Sequence, residues 1–394
     1  MKIHWWNLSH DVQLAVGHGV YNANAAVKSL EKDLQPLALW CAEDGDAIVI
    51  DAERLALCRD WQMECWKPTV QWRTAEKFPH AEISPWGWNR DLVRRVMFYS
   101  GNKAAMRAIL PSASRLDAVR SLSSRQFSVK VLSAIRSHMK GCSLVGDSCF
   151  CQDMNELTSV RNQWGNMIVM KAPWSSSGRG LRMVRGEWTD ELSRWAEMLM
   201  ERQGGVEVEP YYAKMSDWAL EFVVDSSGKV TCTGLSRFHT SVRGEYRGSR
   251  VAGQHMLRSE WGQFLSEKLL DEVTETLCNV LSDELSGHYV GPVGVDMIIC
   301  DDKLRKTCML HPCIEVNLRK TMGQLAVCLS RVVADGKMAH FEILHGRNGD
   351  MLRQRIAEKG QPRWDGLGHL AEGGLALTPI AADSCFAGCL SVEV

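Results

Sequence analysis

Apolar and polar positions alternate with period two in Gly294-Val295-Asp296-Met297-Ile298-Ile299 and again in Ile314-Glu315-Val316-Asn317-Leu318-Arg319. That is the pattern of half-buried strands. Val295, Met297 and Ile299 share one face and Asp296 takes the other. In the second stretch Ile314, Val316 and Leu318 face one way, and Glu315, Asn317 and Arg319 the other. Asp301, Asp302 and Lys303 supply a polar turn, so the two segments are expected to pair antiparallel. Further strands are expected at Ala38-Leu39-Trp40, Ala47–Ile50, Met167–Lys171 and Val206–Glu209, the last closed by Pro210. Leu220–Val224 and Lys229–Thr233 flank Ser226-Ser227-Gly228 as a hairpin, and strand-like stretches return at Gly374–Pro379 and Cys389–Val392.

Helical spacing places helices over Ala25–Leu34, Arg90–Phe98, Leu122–Met139, Thr189–Gln203 and Lys320–Val333. Trp261–Leu285 carries Leu265, Leu269, Leu270, Val273, Leu277, Val280 and Leu281, an apolar stripe at helical period. The mixture predicts an α/β (α+β) chain. Its expected domains are an N-terminal α/β domain over 1–110, a region over 111–205 with a glycine-rich loop, a region over 206–345, and a C-terminal extension with strands over 346–394.

Composition narrows the classes. At 394 residues, 45% hydrophobic and 24% charged, the chain can bury a sizeable core. A formal net charge of -1 argues against a dedicated nucleic-acid binder. No run reaches the roughly 18 apolar residues of a membrane span, and Lys2-Ile3-His4-Trp5-Trp6-Asn7 is too polar for a secretory h-region. A soluble, cytoplasmic protein is expected, with no nucleic-acid or membrane partner. Fourteen cysteines show no zinc-ligand spacing, and reduced thiols are the expectation.

Several clusters carry chemistry. Asp296 beside Glu315 and Asn317 forms a hard, oxygen-rich site of the kind that accepts magnesium near a phosphate; a solvated hairpin face is the plainer alternative. Ser175-Ser176-Ser177-Gly178-Arg179-Gly180 follows a strand ending in Lys171. Small residues let the backbone approach an anion and aim N–H groups at it, although such a loop is often only a turn. Arg237, Arg243, Arg247 and Arg250 crowd one segment, as a solvated loop or as an anion site. Asn7 and His10-Asp11 follow the first strand, where α/β proteins bind ligands, or they cap the next segment.

The order lysine strand, Ser/Gly loop, helix, Glu-x-Glu strand, hairpin, arginine segment, helix, Asp strand and Glu-x-Asn-x-Arg strand resembles the ATP-grasp enzymes from Arg125 to Gly323. The resemblance implies an ATP-grasp fold in which two α+β subdomains clasp ATP behind a pre-ATP-grasp domain. It implies that Lys171 reaches the nucleotide phosphates and that Ser175, Ser176, Ser177, Gly178 and Gly180 belong to the closing loop. Glu207 and Glu209 would border adenine, Asp217 would meet the ribose, and Asp296, Glu315 and Asn317 would ligate magnesium. Arg319 matches the basic residue beyond them, and Arg237 or Arg243 would bind the γ-phosphate or a substrate carboxylate. The family's earlier lysine is absent; Arg125 is the substitute, with Lys130 as the alternative.

The activity implied is an ATP- and Mg2+-dependent ligase that joins a small-molecule or peptide carboxylate to an amine or other nucleophile. An ATP-grasp phosphotransferase and a non-catalytic nucleotide-binding module are the alternatives. Enzymes of this class are often dimers, so a homodimer is one expectation for assembly.

Overall fold

The computed structural model describes residues 1–17, 21–61, 67–76, 81–175, 178, 180–302 and 307–392. The chain forms two compact units. One comprises Met1–Leu116, Arg247–Leu257 and Arg319–Val394, and the other Asp117–Tyr246 and Arg258–Leu318. Among the described residues no helix is long and apolar enough to cross a membrane.

In the first unit the strands Lys2–Trp5, Ala47–Val49, Gln71–Arg73 and Glu82–Pro85 form a parallel sheet, with Lys2–Trp5 between Ala47–Val49 and Glu82–Pro85. Ile3, Trp5, Ala47, Val49 and Ile83 pack there against Leu92, Val96 and Met106. The helix Ala25–Leu34 is capped by Asn24 and Arg90–Tyr99 by Asn89, each side chain accepting from a first-turn N–H. The strand expected at Ala38-Leu39-Trp40 is instead a 3-10 helix, Gln35–Cys41, entered through Pro36. Its residues are nearly all buried, and the apolar run lacks strand geometry because Pro36 fixes a helical φ at its start. Later in the same unit Ala339–His345 pairs antiparallel with Phe386–Val392, which pairs in turn with Gly374–Ala376.

The second unit holds two antiparallel sheets. In the first, Met167–Lys171 lies between Leu181–Arg185 and Val206–Pro210, and Cys149–Cys151 pairs with the outer side of Val206–Pro210. Ile168, Met170, Val206 and Val208 point into an apolar core with Leu157, Ala196 and Leu199. Period-two alternation then sends Lys171, Glu207 and Glu209 to the opposite face. In the second sheet Gly291–Asp302 runs between Thr307–Asn317 and Lys214–Val224, and Val230–Thr240 follows Lys214–Val224. The antiparallel pair expected around Asp296 and Glu315 is present; Gly291–Asp302 runs further than the alternation suggested at both ends, and Thr307–Asn317 begins earlier but stops before Leu318 and Arg319. Lys303 of the expected turn lies outside the described residues; Asp301 and Asp302 belong to the strand itself.

Two expected helices are present but begin a few residues later, each behind a separate short helix. The helix expected over Leu122–Met139 is Arg125–His138, capped by Ser124, and Ala113–Leu122 precedes it. The helix expected over Trp261–Leu285 is Glu267–Leu285, where Ser266 accepts from the Leu269 N–H, and Gln254–Trp261 precedes it. Lys320–Val333 shortens to Met322–Leu329. In each case a serine or threonine side chain offers a local acceptor that ends or begins a helix inside an apolar period.

Candidate functional site

The second unit gathers charge where burial makes charge expensive. Lys171 ends its strand opposite Glu207 in register, and Glu209 stands opposite Val169 on the same face. Lys171 Nζ lies 2.7 Å from Glu209 Oε2 and 3.5 Å from Glu207 Oε1. All three side chains are buried, and neither ion-pair contact is aligned as a hydrogen bond. Burial pushes the Glu209 carboxyl above its ordinary value, and the nearby Lys171 ammonium offsets only part of that.

Arg125 joins them from the first turn of Arg125–His138. Its own N–H donates to the Pro173 carbonyl at 3.0 Å, which ties the helix start to the loop after Lys171. Its guanidinium lies 2.9 Å from Glu315 Oε2 and 3.6 Å from Glu207 Oε2. Burial alone would lower its pKa, but Glu315, Glu207 and Glu209 together more than reverse that. Arg125, not Lys130, therefore reaches the cluster; Lys130 is an exposed partner of Glu284.

Asp296 and Glu315 stand directly opposite each other in the antiparallel ladder, as do Gly294 and Asn317. Asp296, Glu315 and Asn317 thus share one face, and Asn317 Nδ2 donates to Asp296 Oδ2 at 3.3 Å. The three residues expected to form an oxygen-rich site are together. Among the described residues no group of three or more His, Cys, Asp or Glu side chains is gathered as for a metal ion, so any cation here would rely on the Asn317 amide as well.

Asp217 lies on the same sheet face, two residues from Ala219, the register partner of Asp296. Lys214 Nζ donates to its Oδ1 and Oδ2 at 2.9 and 2.8 Å, and Thr240 donates to Oδ2 through N–H and Oγ at 3.1 and 2.9 Å. The Ser/Gly loop meets the arginine segment. A Cβ on Gly178 (φ +71°) would fall 2.3 Å from the Arg243 carbonyl oxygen, and one on Gly180 would fall 2.4 Å from Ser175 Cβ. Arg243 itself is exposed in the turn closed by Gly244 N–H to Ser241 O at 2.9 Å. Ser176 and Ser177 lie outside the described residues.

Two expectations change. Arg237 pairs in register with Trp218, whereas Ser236 pairs with Ala219, so Arg237 points to the face opposite Asp296. There it pairs with Glu260 and lies over the Trp218 and Phe264 rings at 5.3 and 5.9 Å. The cause is a bulge: the register slips between Cys232 and Gly234, and one extra residue turns every later side chain over. Arg319 falls in the first unit, where its Nε donates to Asp11 Oδ1 at 2.7 Å. Asp11 thus answers an arginine; the helix His10–Val16, whose first turn holds it, has Ser9 at the cap position and no side-chain cap.

His311 was not anticipated. It is fully buried, 3.9 Å from Glu209 Oε2 through Nε2, and neither ring nitrogen has a hydrogen-bond partner. Its signal was a single polar side chain within the apolar run Met309-Leu310-His311-Pro312-Cys313, upstream of the alternating stretch. Around this cluster, polar atoms of Arg125, Lys171, Glu207, Glu209 and His311 lack aligned partners although buried. Native interiors leave few such atoms, and a concentration of them marks a place prepared for polar groups from elsewhere.

No family model matches the sequence, and no curated protein matches it. Solved structures do resemble the fold. N5-carboxyaminoimidazole synthetase from Staphylococcus aureus, complexed with ADP, is similar at 11% identity and TM-score 0.51, over 100% of this chain and 93% of that one. Biotin carboxylase from Campylobacter jejuni is similar at 12% identity and TM-score 0.53, over 100% and 87%. The biotin carboxylase domain of Hydrogenobacter thermophilus 2-oxoglutarate carboxylase, solved with MgADP, ADP and bicarbonate, is similar at 12% identity and TM-score 0.54, over 100% and 86%. The chain has the ATP-grasp fold.

Proposed function

We propose that this protein is an ATP-dependent ligase that activates a carboxylate as an acyl phosphate for attack by an amine or another nucleophile. The observation that carries this reading is the buried cluster of Arg125, Lys171, Glu207 and Glu209, with polar atoms left without aligned partners, beside the facing pair Asp296 and Glu315. That cluster sits in a fold whose similar structures were solved with ADP and, in one case, with MgADP and bicarbonate.

In this reading Lys171 and Arg125 neutralise the nucleotide phosphates, the arginine through a forked donor set of permanent charge. Glu207 and Glu209 border the base, and Asp217 faces the ribose once Lys214 and Thr240 share it. Ser175, Gly178 and Gly180, backed by the Arg243 turn, close over the phosphates and keep water from a hydrolysable product. Asp296, Glu315 and the Asn317 amide are a hard-oxygen donor set that fits Mg2+, with Glu315 shared with Arg125. Magnesium bound there would act as a Lewis acid on phosphoryl oxygens. Arg243 would receive the acceptor's charge.

The chemistry balances in two steps. A carboxylate oxygen attacks the γ-phosphorus and ADP leaves; the nucleophile then attacks the acyl carbon, phosphate leaves and the nucleophile gives up its proton. The enzyme would act in the cytoplasm on small-molecule or peptide substrates. A screen for ADP release against pooled carboxylic acids and amines tests this. Release only when both pools are present supports the ligase. Release with one acid and no amine, giving a stable phosphorylated product, favours a phosphotransferase, and nucleotide binding without turnover in any pool favours a regulatory module.

A further inference from the structure

His311 has no part in the chemistry above, yet it is the most completely enclosed polar group of the cluster. Packing fixes it where hydrogen bonds do not. Gly146, at φ +115°, passes so close that a Cβ there would lie 2.9 Å from the imidazole ring. Tyr212 meets the ring edge-on, with centroids 5.2 Å apart. The charged and titratable groups that face it are Lys171 from Met167–Lys171, Glu209 from Val206–Pro210, Tyr212 just beyond, and Arg136 from Arg125–His138. Arg136 is itself engaged, donating to the Gly146 carbonyl at 2.6 Å and pairing with Asp147.

Glu209 therefore stands between two nitrogens, Lys171 Nζ at 2.7 Å and His311 Nε2 at 3.9 Å. In the free protein the lysine supplies the positive charge and the imidazole stays neutral. Burial first, then the Lys171 and Arg136 charges, push its pKa down to about 3. A phosphate that draws the ammonium toward itself removes one of those charges from the ring. It also leaves a buried carboxylate without its cation, which low-dielectric surroundings penalise heavily.

We propose that His311 is a positioning residue and the reserve partner of Glu209: when a nucleotide phosphate takes Lys171 from the carboxylate, the imidazole takes up a proton and holds Glu209 in place. The exchange balances as one ion pair broken, one formed and one proton drawn from solvent. It rests on the reading that Lys171 meets a nucleotide phosphate, and it adds that binding is coupled to proton uptake.

Isothermal titration calorimetry on the full chain tests it. A non-hydrolysable ATP analogue with magnesium is titrated in buffers of different ionisation heat between pH 8 and 6, and the nucleotide's own ionisation is subtracted. The parent is expected to take up protons on binding, rising toward one per site as the pH falls. Its affinity rises alongside, by at most about tenfold per pH unit. His311→Gln keeps a hydrogen-bond donor that cannot titrate. It is expected to bind within about threefold of the parent at pH 8, without excess uptake and without the gain at pH 6. Binding by the parent with no excess uptake overturns the inference and leaves the ligase reading standing, whether or not the variant folds. Uptake that persists unchanged in His311→Gln also overturns it. Absence of nucleotide binding at every pH overturns the ligase reading, and this inference with it.

Discussion

Glu315 has two neighbours of opposite demand, Asp296 across the ladder and Arg125 at 2.9 Å. Glu315→Gln keeps its shape and removes its charge. If it ligates magnesium, turnover should fall about a hundredfold or more, as for other lost contacts to transition-state charge. Arg125 keeps Glu207 at 3.6 Å, so the thermal transition should persist, weakened by about 1–2 kcal/mol. ADP release and circular-dichroism melts on the same preparation separate the two effects, and full activity would remove the metal site from Glu315. Lys171→Met asks a different question. It strands Glu207 and Glu209, both buried, and removing one partner of such a set costs about 3–5 kcal/mol. Adding Glu209→Gln to Lys171→Met should recover at least about 1 kcal/mol of that in urea unfolding, because the second change deletes the stranded charge. A purely additive pair would mean that Lys171 and Glu209 do not sense each other.

At the level of elements, the Ser/Gly loop depends on Gly178 for two reasons at once. Its φ of +71° is left-handed, which costs a side chain about 1–2 kcal/mol, and the Arg243 carbonyl occupies the place of a Cβ. Gly178→Ala should therefore displace the loop rather than unfold the unit. The expected result is a loss of about tenfold or more in kcat/KM for ADP release with a melting temperature nearly unchanged; an equal kcat/KM would show that the loop does not close over substrate. The sequence disclosed such elements unevenly, for physical reasons. Helical spacing located Arg125–His138, Asp190–Gln203 and Glu267–Leu285, whose first turns are set by the Ser124, Thr189 and Ser266 caps. Alternation likewise placed Asp296, Glu315 and Asn317 on one face, because period two survives in a paired strand. Arg237 was assigned from the resemblance alone, whereas an unbroken continuation of the Cys232–Phe222 pairing would set it opposite Asp217. The bulge before Gly234 reverses that, and a bulge leaves no periodic trace. His311 was missed because one polar residue in an apolar run reads as core until the lack of a hydrogen-bond partner is seen in three dimensions.

Across the whole molecule, each unit carries a histidine folded in its neutral form. In the first unit His10 is buried with its ring against Gly87, Nδ1 is 3.1 Å from Asn89 Nδ2, and burial lowers its pKa to about 4. In the second, His311 is lowered to about 3. An unfolded chain protonates histidine near pH 6.5, so below that pH it binds protons that the folded chain refuses. The sign follows: stability is full above about pH 6.5 and falls with pH, by about 1.4 kcal/mol per unit for each histidine, until the folded pKa is reached. From pH 6.5 to 4 each contributes a loss on the order of 3 kcal/mol, a large share of the roughly 5–15 kcal/mol that holds a domain folded. Urea unfolding followed from pH 7.5 to 4 should show this decline beginning near pH 6.5, well before most carboxylates protonate. Replacing His10 with Asn, or His311 with Gln, lowers stability at pH 7.5 but removes that residue's share of the slope, so the parent and variant curves converge in acid. Parallel curves would mean that the histidine is already charged in the fold, or open to water. A decline confined to below pH 5 would assign acid sensitivity to carboxylates instead, Asp46 and Asp383 first among them, since both are held below their ordinary values.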